Sequence, residues 1–73
     1  MVTVYTKPNC PHCKHTKRML EEQGTEFTEV DVTQNAEALA KIRDVWGFRV
    51  VPVVETDDDV WDNHRPERIK ELA

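Results

Sequence analysis

Val2 and Val4 alternate with Thr3 and Tyr5, a period of two that predicts a first strand with one face in the core. Thr6 to Asn9 reads as a loop. Pro11 suits the first turn of a helix, where its missing N–H has no partner to lose, so Cys10 falls at the N-cap or just before it. The helix is predicted to run to about Gln23, with Met19 and Leu20 facing inward and Gly24 as its stop. Phe27, Val30 and Val32 mark a second extended run, and a strand, a helix and a strand in that order imply a right-handed parallel βαβ unit. Asn35 is placed to cap a second helix, whose apolar stripe of Leu39, Ile42, Val45 and Trp46 ends at Gly47. Val50-Val51-Pro52-Val53-Val54 follows as a third strand, Asp57-Asp58-Asp59 as a turn and Val60-Trp61 as a short fourth strand. Pro66 opens a last helix carrying Ile69 and Leu72. The order is βαβαββα, an α/β arrangement of four strands and three helices without internal repeat, linker or low-complexity segment.

At 73 residues and 38% hydrophobic content the chain has material for one small core, so residues 1–73 are expected to form a single domain. No stretch approaches the roughly 18 apolar residues of a membrane span. Met1 to Tyr5 lacks the basic region and apolar run of a secretory signal, which makes a soluble cytoplasmic protein the expectation. The net charge of −4 is unevenly spread: Lys7, Lys14, Lys17 and Arg18 against Glu21 and Glu22 leave residues 1–24 at +2 and the remainder at −6. The basic end has two readings, an ordinary solvated helix face or a docking surface for an acidic partner with a field that favours thiolate. An acidic chain without a dense basic patch is a poor candidate for nucleic-acid binding.

Chemistry is concentrated in Cys10-Pro11-His12-Cys13, which holds both cysteines of the chain. Spacing so short cannot staple distant segments, so a disulfide there contributes little stability; in a reducing cytosol such a pair is usually catalytic or metal-binding. At a helix N-terminus the unpaired backbone N–H groups and the helix dipole stabilise a negative sulfur. That makes Cys10 the attacking thiol and Cys13, one turn in, the resolving one. An unperturbed thiol is only about 3% ionised at neutral pH, whereas a pKa lowered to roughly 6 or 7 gives about half or more as thiolate. Lys7, on the loop before Cys10, is either a thiolate-stabilising cation or a surface lysine. A metal reading with Cys10, Cys13 and His15 as ligands lacks the second cluster that a closed zinc site needs, and no metal or organic cofactor is expected.

Beyond the cysteines, Val4-Tyr5-Thr6-Lys7-Pro8-x-Cys10-x-x-Cys13, Val30-Asp31-Val32, Pro52-Val53-Val54 and Trp61-x-x-x-Arg65-Pro66-x-Arg68-Ile69 carry a family resemblance. The chain resembles the glutaredoxin-like branch of the thioredoxin superfamily, and within it the NrdH-redoxins, over nearly its whole length. The resemblance implies a thioredoxin/glutaredoxin-like fold, a four-stranded mixed sheet flanked by three helices. It also implies a small monomeric electron donor, because NrdH-redoxins are reduced by thioredoxin reductase and pass electrons to the class Ib ribonucleotide reductase. Carried onto this sequence, Cys10 and Cys13 match the redox pair, and Pro52 matches the proline that faces it in cis, leaving the backbone of Val51 exposed to a docked substrate. Lys7 matches a residue that tunes the thiolate, and Trp61 and Arg65 match a segment that meets the partner; Trp61 itself reads either as a partial cap on the redox site or as a core tryptophan.

Glutathione-dependent glutaredoxins, which the chain also resembles, carry a Gly-Gly pair and a following acidic residue near the last helix. Here Asp62-Asn63-His64 occupies that stretch, and its larger side chains should obstruct close approach of a glutathione backbone. The same stretch departs from the NrdH pattern, as does Pro11-His12 between the cysteines. An imidazolium at His12 would stabilise the Cys10 thiolate and hence the reduced form, which predicts a more oxidising couple than a typical redoxin. Two other readings stay open: a glutathione-dependent oxidoreductase working through Cys10 alone, and a non-catalytic module that binds a reductase whether or not its thiols are present.

Overall fold

A computed structural model describes residues 1–73. The chain runs β1 (Thr3–Thr6), α1 (Pro11–Glu22), β2 (Thr28–Asp31), α2 (Ala36–Ala40) with a π-helical continuation (Lys41–Val45), β3 (Val53–Glu55), β4 (Val60–Asp62) and α3 (Pro66–Lys70). The strands form one mixed sheet in the order β2-β1-β3-β4. β1 is parallel to β2 and antiparallel to β3, which is in turn antiparallel to β4. The expected βαβαββα order and its four-stranded mixed sheet are the ones observed.

Helices cover both faces of the sheet, which corrects the expectation that β1 buries only one. Val4 points to a cluster with Leu20, Val54, Trp61 and Ile69, beneath α1 and α3. Its neighbour Tyr5 points the other way, to a cluster with Val32, Ala38, Ile42 and Val53, beneath α2 and its continuation. Successive strand side chains face opposite sides, so a strand buried on both reads as a continuous apolar run, and Val53-Val54 is one. Thr6, expected in the loop that follows, is instead the last residue of β1 and is buried. Its hydroxyl donates to Glu29 at 2.7 Å, which makes the burial of a polar side chain tolerable.

The second helix departs from the expected stripe. After one α-helical turn capped by Asn35, whose side chain accepts from the amide of Ala38 at 3.0 Å, the backbone loosens into the π-helical segment. The wider turn shifts the register, so Ile42 stays buried while Val45 turns out to solvent, 72% exposed, and Leu39 is also on the surface. Gly47 ends the segment with φ +72 and the amide of Phe48 returns to the carbonyl of Ile42 at 2.9 Å; Gly24, with φ +80, likewise lets the chain leave α1. The third strand begins at Val53 rather than Val50. Pro52 has no N–H to give the ladder, and Val51-Pro52, a cis peptide, stands just outside the sheet.

Candidate active site

Pro11 at the first helical position leaves Cys10 as the N-cap of α1, with extended backbone (φ −111, ψ 106). A cysteine sulfur here does what a Ser or Asp side chain does at other helix starts: it accepts from the amide of Cys13, at 3.2 Å. The same sulfur lies 3.9 Å from the carbonyl oxygen of Val51. Both cysteines are free thiols; Cys10 is 6% and Cys13 2% exposed, so the resolving position is the more enclosed. Burial, together with hydrogen bonding to Cys10, pushes the Cys13 thiol up to about 11. The Lys7 backbone amide and the Lys17 ammonium work in the opposite direction.

Cys10 opens onto a groove of about 890 Å³, within the range of ligand pockets and large enough for a segment of chain. Lys7, Pro11, His12 and Val51 all line it, so four expected site residues meet there around Cys10. Pro52 is fully buried behind Val51, and its carbonyl accepts from the amide of Asn63 at 2.7 Å. Arg65 is not brought to the groove, which corrects its expected placement, and Trp61 takes the core position rather than that of a cap. The Trp61 ring is 6% exposed in the α1/α3 cluster, with the Arg68 guanidinium 5.4 Å from its centroid, because β4 turns it toward those helices. Arg65 precedes α3 and turns back on Asp62, donating from Nε to its carbonyl at 2.8 Å and pairing with its carboxylate at 3.2 Å.

Residues 2–61 match the glutaredoxin family. This chain belongs to that family, in its NrdH-redoxin branch. It is 38% identical over 73 residues, the whole of both chains, to the glutaredoxin-like protein NrdH of Lactococcus lactis subsp. cremoris. To NrdH of Salmonella typhimurium it is 41% identical over 71 residues, covering 97% of this chain and 86% of that one. The solved NrdH-redoxin from Escherichia coli, described as having a thioredoxin-like activity profile, superposes with a TM-score of 0.94 at 38% identity. That superposition covers 99% of this chain and 93% of the other.

As a member of the glutaredoxin family, this chain is a thiol–disulfide oxidoreductase with the thioredoxin-like α/β fold. Other side chains of the site, which the motifs did not single out, come from the far wall of the groove: Leu39, Ile42, Arg43, Phe48, Arg49 and Val50. The signal available for Arg49 and Val50 was adjacency to Val51-Pro52; for the α2 residues there was none, because the π-helical register decides which of them face Cys10. Asn63, with φ +68, also reaches the groove. Behind the cysteines, Glu29 accepts from Lys17 at 2.9 Å as well as from Thr6, and these contacts hold its carboxyl below the usual range. His64 shares a 2.8 Å hydrogen bond with the fully buried Thr16; partial burial, then the nearby charges of His15 and His12, push its pKa down. No group of three His, Cys, Asp or Glu side chains is arranged to hold a metal ion, and no helix is long and apolar enough to cross a membrane.

Proposed function

We propose that this chain is a cytoplasmic, monomeric dithiol electron donor that takes electrons from thioredoxin reductase and delivers them to a class Ib ribonucleotide reductase. Cys10 attacks one sulfur of the partner's disulfide and forms a mixed disulfide, expelling the second partner sulfur as a thiolate that takes up a proton. Cys13 loses its proton and attacks Cys10, forming the Cys10–Cys13 disulfide and releasing the first partner sulfur. Two electrons pass to the partner, and a flavoprotein reductase using NADPH restores the dithiol. Lys7 and His12 favour the thiolate of Cys10, Pro11 fixes the helix start, and Val51, held by Pro52, offers its backbone to the incoming segment.

One observation favours thioredoxin reductase over glutathione as the electron source. All three residues at the position of the glycine pair are engaged within the chain. Asp62 is held by Arg65, the amide of Asn63 donates to Pro52, and the amide of His64 donates to the Asn63 side chain at 2.9 Å. The backbone donors that a glutathione carboxylate would need there are already taken. The test is NADPH consumption with a disulfide substrate, thioredoxin reductase in one arm and glutathione with glutathione reductase in the other. Turnover is expected with thioredoxin reductase only, and a class Ib ribonucleotide reductase is then the acceptor to add. Turnover with glutathione only would overturn the reading.

A further inference from the structure

The chain carries ten lysines and arginines, and five of them are neutralised internally: Lys17, Lys41, Arg43, Arg65 and Arg68 each lie within 3.5 Å of a carboxylate oxygen. The other five are distributed unevenly. Lys7 and Arg49 line the groove at Cys10, and Lys14 and Arg18 line a second hollow along α1. The two hollows share Asn9 and Pro11, on either side of Cys10, while Lys70 lines neither. Of the fourteen Asp and Glu side chains only Glu21 lines either hollow. A molecule of net charge −4 thus keeps four of its five unpaired cations in the two hollows that flank its nucleophile; the carboxylates nearest the cysteines, Glu29 and Asp31, line a third hollow with Lys7 and Lys14, where Glu29 is paired with Lys17.

Two further features give the surface a shape. Leu39 and Val50, 41% and 47% exposed, form an apolar floor beside Arg49 in a groove that no carboxylate lines. Val51 has no backbone partner and its carbonyl meets only the Cys10 sulfur, at 3.9 Å, so a strand laid along it finds a free amide. We propose that this surface docks an extended, acidic segment of the disulfide-bearing partner, with an apolar side chain seated at Leu39 and Val50. Its carboxylates lie over Lys7 and Arg49 on one side of Cys10 and over Lys14 and Arg18 on the other. The proposal rests on thiol–disulfide exchange at Cys10 and names the class of protein substrate that the exchange selects. Charge of this kind acts mainly on the encounter rate, and lysine-rich segments are repelled.

Three synthetic peptides test it, sharing one disulfide and one leucine and flanked by glutamates, glutamines or lysines. Each is reduced by the dithiol form of the protein, and each rate is divided by that with dithiothreitol to remove the peptide's own reactivity. The glutamate peptide is expected to exceed the lysine peptide by about tenfold or more at low salt. The spread should shrink at about 1 M salt, where the Debye length falls to about 3 Å. In Lys14→Glu/Arg49→Glu the order should invert, with the glutamine peptide as the reference inside each protein. Equal normalised rates at low salt, or an order that survives the double substitution, would overturn the proposal. Failure of all three peptides to be reduced would instead remove the exchange chemistry beneath it, and so overturn both readings.

Discussion

Cys13 stands one helical turn inside α1, almost wholly enclosed, with its thiol pushed up to about 11 by burial and by hydrogen bonding to Cys10. Once Cys10 is tied up in a mixed disulfide, the charge of Cys10 no longer contributes, but the burial does. A raised pKa keeps Cys13 protonated at neutral pH, and its thiolate fraction grows with each unit of pH up to that value. Release of a partner from a preformed mixed disulfide is therefore expected to accelerate about tenfold per pH unit between pH 6 and 9, followed by rapid mixing. A flat profile would show that resolution is not limited by that proton. His12, the next residue after Pro11, is exposed and lines the groove beside Cys10. Replacing it by valine removes a group able to favour the reduced form, so His12→Val should lower the reduction potential; about 30 mV corresponds to a tenfold change in the equilibrium constant. An unchanged redox titration would reject that role. At this scale the sequence was most legible: a proline after a cysteine sets the helix start and the N-cap from local chemistry alone, and the structure has both.

Elements were less legible than residues, and the misses share a cause. The pattern at Val50 to Val54 shows an apolar run without saying where the ladder starts, and the pattern around Leu39 to Trp46 shows a stripe without saying that the helix widens beneath it. Both depend on what packs across from them. Trp61 is the clearest case, since an apolar residue in a two-sided strand can face either helix layer, and only the register of β4 on β3, with Trp61 opposite Val54, turns it toward α1 and α3. Its indole nitrogen is buried without a hydrogen-bond partner, so the ring stays there for its packing and for Arg68 rather than for a polar contact. Trp61→Ala should cost about 3–5 kcal/mol, read as a lower urea midpoint. Trp61→Phe, which keeps most of the ring, should remain folded and exchange thiols with a small disulfide at an unchanged rate. A residue acting as a cap on the cysteines would give the opposite outcome, slower exchange without loss of stability.

Across the whole molecule, the order of elements and the position of the nucleophile were readable, whereas the wall facing the nucleophile was not. Lys7 and Cys10 are close in sequence, but Arg49, Leu39 and Asn63 reach the same groove from three other segments, and their convergence is a product of the sheet order. The two clusters on opposite faces of that sheet divide the site between them. The helix that carries Cys10 is anchored through Leu20 in one, and the segment opposite is anchored through Ile42 and Phe48 in the other. Only a single layer of strands, about one peptide thick, stands between the two foundations. Mutations that accumulate under the opposite wall can therefore redraw which proteins are accepted while the thiol chemistry stays as it is, and a lineage carrying this chain can exchange one client for another without rebuilding its reactive end.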